Sequence, residues 1–136
     1  MRLILAAFLG GCLGTGLRFA ADLALPHTGE QFPTGTLVVN VCGALVLGWI
    51  VGGFWARSGV PAWFRVALGP GLLGSFTTFS AVMVSLVSQS AAGLWALAVL
   101  YLVVSVGLGF GAAALGLWLG GRFGFGRRLS RGRERR

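Results

Sequence analysis

Four apolar runs, each long enough to cross a bilayer, take up nearly all of the chain between Leu3 and Leu119. A hydrocarbon core of about 30 Å needs about 20 helical residues. The runs fall at about 3–25, 34–55, 63–87 and 93–119. Backbone groups in lipid must be satisfied within their own segment, so such runs fold as helices. The expected fold is therefore an all-α membrane protein of four transmembrane helices, one domain over about 1–120, followed by a basic tail at 121–136. Charge agrees with this. A soluble domain carries about a quarter of its residues charged; here 11 Arg and Lys and 3 Asp and Glu are all there are in 136 residues. The first run continues past Gly14 and Gly16 to Leu25, which is too long for a cleavable signal and long enough to span.

The connections are short. "PHTGEQFPTG" joins the first two runs, "ARSGVPAW" the second and third, and "SQSAAG" the third and fourth. Pro and Gly punctuate them. Four spans put both termini on one side. Arg2, Arg57, Arg65 and the seven tail arginines then share that side, and the opposite loops hold only His27 and Glu30. The excess of positive charge on cytoplasmic loops makes both termini cytoplasmic in a cell membrane. The Gly/Arg-rich tail is expected to be disordered beyond Arg128. Its charge is read as a topology signal beside anionic lipid, with no role in nucleic-acid binding. Cys12 and Cys42 lie inside apolar runs, where Cys packs as a small hydrophobe and implies neither a disulfide framework nor a metal site.

Glycine numbers 24. Gly10 with Gly14, and Gly107 with Gly111 followed by Gly116 and Gly120, stand at helical spacing, where small residues let helices approach closely in lipid. The five tryptophans mostly lie near the ends of the runs, as interfacial anchors do.

Polar groups inside the runs are costly and face a partner or a cavity. Arg18 either pairs with Asp22 one turn on or supplies a fixed positive charge that favours anions. Asn40 either joins helices or offers an amide donor to a path. "GLLGSFTTFS", Gly71 to Ser80, puts Gly74, Thr77 and Thr78 where a spanning helix would carry Leu or Val, one turn after Pro70. A helix broken near the middle of the third span is expected there. Such breaks are tolerated in lipid only where protein buries them or water fills a cavity. They expose carbonyls to cations and N–H groups to anions. Phe79 adds a ring with a weakly positive edge. Tyr101 and Ser105 share a face of the fourth helix, with Gly109 next on it. Deep carboxylates, which cation pores and proton-coupled exporters use, are missing from every run. Amide, hydroxyls and guanidinium are donors, and donors suit a small hard anion. With no nucleophile–base–orienter set and no nucleotide loop, the chain is not read as an enzyme.

Three segments in order, "GGCLGTGLRF", "GTLVVNVCGALVLG" and "GLLGSFTTFS", resemble the first-, second- and third-helix signatures of the CrcB/Fluc family of fluoride channels. The resemblance implies an antiparallel dimer enclosing two narrow pores that pass fluoride out of the cytoplasm passively and so limit its toxicity. It implies a structural sodium ion at the dimer centre, held by backbone carbonyls that map to Gly74 and Thr77. Along the pore it places Asn40, Thr78, Phe79, Ser80, Tyr101, Ser105 and Arg18. The chain departs from the family pattern at Ser75, where a Gly is usual, at Val82, where a second Phe is usual, and at Gly109, which lacks a hydroxyl.

Antiparallel assembly of one sequence needs balanced flanking charges, and this chain's are one-sided. The expected partner is therefore either itself or, favoured by the charge, a homologous chain of opposite orientation that supplies the missing Phe. A partly degenerate or non-conducting subunit of such a pair, or a structural assembly subunit, is the alternative. A cationic-drug exporter similar to the small multidrug resistance family would need a first-helix glutamate that is not there.

Overall fold

A computed structural model describes residues 1–26, 31–55 and 59–133, with side chains through Arg122. Helix α1 spans Arg2–Ala24. Helix α2 spans Thr34–Trp49 and continues through a π-helical turn, Ile50–Phe54. The third crossing is composite: α3 over Ala62–Val66, a π-helical stretch over Ala67–Leu73, the short α4 over Gly74–Phe76, and α5 over Ser80–Ala91. Helix α6 runs over Trp95–Arg133. Four stretches are long and apolar enough to cross a membrane: Arg2–Ala24, Thr34–Phe54, Ala62–Ala91 and Trp95–Arg122. The four expected runs are thus all helical. His27 and Glu30 in the first loop, and Arg57 in the second, lie outside the described residues.

Two expectations are corrected. Helix α6 continues through the Gly/Arg-rich segment to Arg133, where a tail without structure was expected beyond Arg128. Extending an existing helix needs no new nucleus, and Arg is a good helix former, so the intervening glycines do not stop it. The third crossing also runs a turn beyond Val87 to Ala91, because the polar "SQS" is helical and Gln89 is buried.

Small residues decide how the helices pack. Lipid gives helices no hydrophobic reason to associate, so close backbone approach does the work. Helix α1 lies against the π-helical stretch of the third crossing, and α2 lies along α6. A Cβ at Gly10 or Gly14 would overlap the Ala67 or Leu72 carbonyl. One at Gly48, Gly116 or Gly120 would overlap the backbone of the facing helix in the α2–α6 pair. Gly107 and Gly111 instead meet nothing within 4 Å. They sit nine positions before Gly116 and Gly120, which at 3.6 residues per turn is about half a revolution. The α6 glycines therefore form two opposed faces, and only one packs within the chain.

The remaining surface is apolar, with Phe8 64%, Val103 63% and Phe110 75% exposed, as suits contact with lipid tails. Helix α2 and the first half of the third crossing touch only sparsely. Between them opens a cleft of about 460 Å³, lined by Asn40, Gly43 and Leu47 on one side and Leu73, Gly74 and Thr77 on the other.

Candidate functional site

The helical ladder of the third crossing stops at Phe76. Thr77 is extended, with φ −85° and ψ 151°, and α5 begins at Ser80. In a continuous α-helix the Thr78 N–H would bond to the Gly74 carbonyl and the Ala81 N–H to the Thr77 carbonyl. Both donors are diverted to side chains. The Thr78 N–H donates to Asn40 Oδ1 at 2.8 Å, while Asn40 Nδ2 returns a 2.8 Å bond to the Thr78 carbonyl. The Ala81 N–H donates to Thr78 Oγ1 at 3.2 Å. The carbonyls of Gly74 and Thr77 thereby lose their helical donors. These are the two residues that the family resemblance assigns to a cation.

Three further features set this geometry. Gly43 lets the break close on α2, since a Cβ there would run into Thr77 Cγ2. Thr77 Oγ1 donates back to the Leu73 carbonyl at 2.9 Å and closes the end of α4. Thr78 Oγ1 and Ser80 Oγ share a hydrogen bond of 2.8 Å. Asn40 is thus a helix-joining amide first. Its two bonds to Thr78 leave one Nδ2 proton for another acceptor. Phe79 projects outward with 67% of its surface exposed.

A second polar group stands at the end of the bundle opposite the termini. Arg18 Nε donates to both carboxylate oxygens of Asp22 at 3.0 Å, and Nη2 donates to Thr36 Oγ1 at 3.1 Å. The Arg18 side chain is 12% exposed. Its Nη1, the Tyr101 hydroxyl and the Ser105 hydroxyl are buried with no hydrogen-bond partner. A buried donor without an acceptor costs about 1–3 kcal/mol, and Tyr101 and Ser105 have only each other as neighbouring hydroxyls.

The structure therefore sorts the expected residues into two clusters. Gly74, Thr77, Thr78 and Ser80 gather with Asn40 at the break. Arg18, Tyr101 and Ser105 gather at the loop end with Thr36. Thr36 and Asn40 are one turn apart on α2, so that helix links the two. Phe79 joins neither cluster within the chain. Thr36 was missed in the sequence, although its place four residues before Asn40 in "TLVVN" was a usable signal. Gln89, fully buried at the end of α5, was also missed. No group of His, Cys, Asp or Glu that could bind a metal occurs among the described residues.

An all-helical chain with four membrane-length apolar helices, two internal clusters of donors and diverted backbone, and little charge defines a small multi-pass membrane protein. Comparison with known proteins narrows this. The family model for "CrcB-like protein, Camphor Resistance (CrcB)" matches residues 5–117. The chain is 37% identical over 120 residues to a fluoride-specific ion channel FluC of Methylobacterium nodulans, covering 88% of this chain and 97% of that one. It is 38% identical over 112 residues to a protein of the same name from Chelativorans sp., covering 82% and 90%. It is 39% identical over 105 residues to fluoride-specific ion channel FluC 1 of Cutibacterium acnes, covering 75% and 73%. The chain belongs to the CrcB family. The relatives it matches are ion channels by name.

Proposed function

We propose that this chain is a subunit of a fluoride-specific channel that lets fluoride leave the cytoplasm down its electrochemical gradient and so limits its toxicity. The observation that carries this is the loop-end cluster. Arg18 Nη1, Tyr101 Oη and Ser105 Oγ are buried donors without acceptors. In a site of low dielectric they suit a small anion that must shed its water. Asp22 offsets much of the Arg18 charge, so the path offers hydrogen bonds more than a fixed field. Asn40, Thr78 and Ser80 continue the donors towards the middle of the membrane. The names of the relatives agree with fluoride as the ion.

The break has a separate task. Its diverted carbonyls at Gly74 and Thr77 fit a hard cation, which oxygen ligands hold well. Sodium is the ion we assign there, as a structural charge between two subunits. A single crossing supplies few such oxygens, so the site calls for a second subunit. The exposed Phe79 ring and the open cleft beside the break are the surfaces such a subunit would cover. An antiparallel pair brings two third crossings together at their breaks. Flanking charge is strongly one-sided, with Arg2, Arg57, Arg65 and the tail arginines on one face. The partner of best fit is therefore a homologous chain inserted the other way, and both termini of this chain are cytoplasmic. Val82, where the family usually has a second Phe, is 3% exposed and packed inside this chain. A ring at that place in the pore must then come from the partner. A purely structural assembly subunit finds no support in relatives that are named channels.

Deleting this chain from its own cells tests the function without knowledge of the partner. Growth should fail at fluoride levels that the parent tolerates, and restoring the chain should rescue it. Equal tolerance in parent and deletion strain, with fluoride accumulating equally inside both, contradicts the proposal.

A further inference from the structure

The four largest fully buried side chains among the described residues are Tyr101, Gln89, Thr36 and Pro33, and all belong to the end of the bundle opposite the termini. Tyr101 and Thr36 are accounted for by the donor cluster. Gln89 is not. It is 0% exposed near the end of α5. Its Nε2 donates to the Gln31 carbonyl at 3.1 Å, across 58 residues of sequence. Its Oε1 is buried with no partner. Its own carbonyl accepts from the Leu94 N–H at 2.8 Å and ties the end of α5 to the approach of α6. A leucine at this place would fill the space but take the donor from the Gln31 carbonyl, while the unpartnered Oε1 is the cost of keeping the amide.

The bond to Gln31 shows what the amide does. Gln31 leads directly into Phe32, whose ring meets Tyr101 edge-on at a centroid distance of 5.3 Å and an interplanar angle of 81°. Pro33 follows, buried, and fixes the backbone where the segment turns into α2. The Tyr101 hydroxyl has only the Ser105 hydroxyl, one turn on, to orient it, and no hydrogen bond of good geometry. Its ring is held by packing, and Phe32 supplies a directional contact.

We propose that Gln89 is a positioning residue for the ion path: by gripping the Gln31 carbonyl it seats Phe32 against Tyr101, and so fixes where the Tyr101 hydroxyl stands beside Ser105 and Arg18. The inference rests on the reading that Tyr101 and Ser105 line the fluoride path. It assigns the segment Gln31–Pro33 as a strap whose seating on α5 sets the geometry of α6. Gln89 touches no ion; it acts through two intervening residues.

The chain has a single tyrosine, so 3-fluorotyrosine incorporated into this chain alone, with any partner added unlabelled, gives one fluorine-19 resonance, that of Tyr101. Gln89→Met keeps the side-chain length and removes the amide. The resonance should move, and fluoride efflux from liposomes carrying the channel complex should fall about tenfold, the effect of roughly one hydrogen bond on an activation barrier. Phe32→Leu should do both, and the double variant should lose little more than either single one, because the two act in series. An unmoved resonance overturns the proposal whatever happens to efflux. A moved resonance with unchanged efflux overturns it as well. If Gln89→Met does not yield folded protein, Phe32→Leu, which leaves the Gln89–Gln31 bond intact, is judged by the same two readouts. A wild-type complex that passes no fluoride removes the channel reading and this proposal with it, an outcome distinct from either failure of the variants.

Discussion

Both hydrogen bonds of the Asn40 side chain go to one residue. Its two 2.8 Å bonds take both backbone polar groups of Thr78, the N–H and the carbonyl. Asn40→Leu strands both at membrane depth, at about 1–3 kcal/mol each. The variant should show a clearly lowered melting temperature in detergent and lose fluoride efflux. Asn40→Asp keeps the acceptor for the Thr78 N–H and should retain more of the stability than Asn40→Leu while still losing efflux. Thr78→Val isolates the other diversion. Without Oγ1 the Ala81 N–H is free to return to the Thr77 carbonyl. Sodium should then stabilise the protein less, and the concentration needed for a given rise in melting temperature should increase about tenfold. An unchanged sodium dependence would detach Thr77 from the cation site. What Asn40 does was only half legible in the sequence. An amide in lipid announces that it must have a partner, but a lone Asn does not say whether the partner is an ion or a backbone.

Among the elements, the glycine faces carry the packing and the predictions that go with it. Gly116→Ala and Gly48→Ala place a methyl group against backbone on the opposing helix, where nothing flexible can yield. Both should destabilise the subunit by about 1–3 kcal/mol, the usual cost of overpacking. Gly107→Ala and Gly111→Ala meet open space. They should leave the subunit's stability unchanged or raise it by up to about 1 kcal/mol through helix propensity, as read by thermal unfolding. The four crossings were legible because a bilayer demands one pattern, a run of about 20 apolar residues; Gly74, Thr77 and Thr78 depart from it, and beside them α4 ends at Phe76 and α5 begins at Ser80. Helix pairing was not. Gly107 and Gly111 look like Gly116 and Gly120 in spacing, and only the helical phase between the pairs separates a face packed within the chain from one that is not. Gln89 escaped notice for a similar reason: beside Ser88 and Ser90 it reads as part of a loop, and only its burial shows it to be core. The α6 extension to Arg133 was missed because composition reports what a segment would do alone, not what an adjoining helix imposes on it.

The whole molecule is shaped by what it leaves open. The cleft of about 460 Å³ beside Thr77, the exposed Phe79 and the two carbonyls deprived of helical donors are the features that the proposed second subunit would cover. Flanking charge gives that assembly a direction. A cysteine placed in the tail should be labelled by an impermeant thiol reagent only after cells are opened, in a background where Cys12 and Cys42 are replaced; labelling of intact cells would show dual orientation and favour a pair of identical chains. Conduction itself is tested most directly on the complex isolated from its native membranes through a tag on this chain, so that any partner comes with it, and reconstituted into liposomes loaded with fluoride and chloride. The expected result is rapid loss of fluoride with chloride retained. Retention of both ions by well-folded complex, or loss of both together, would contradict a fluoride-specific channel.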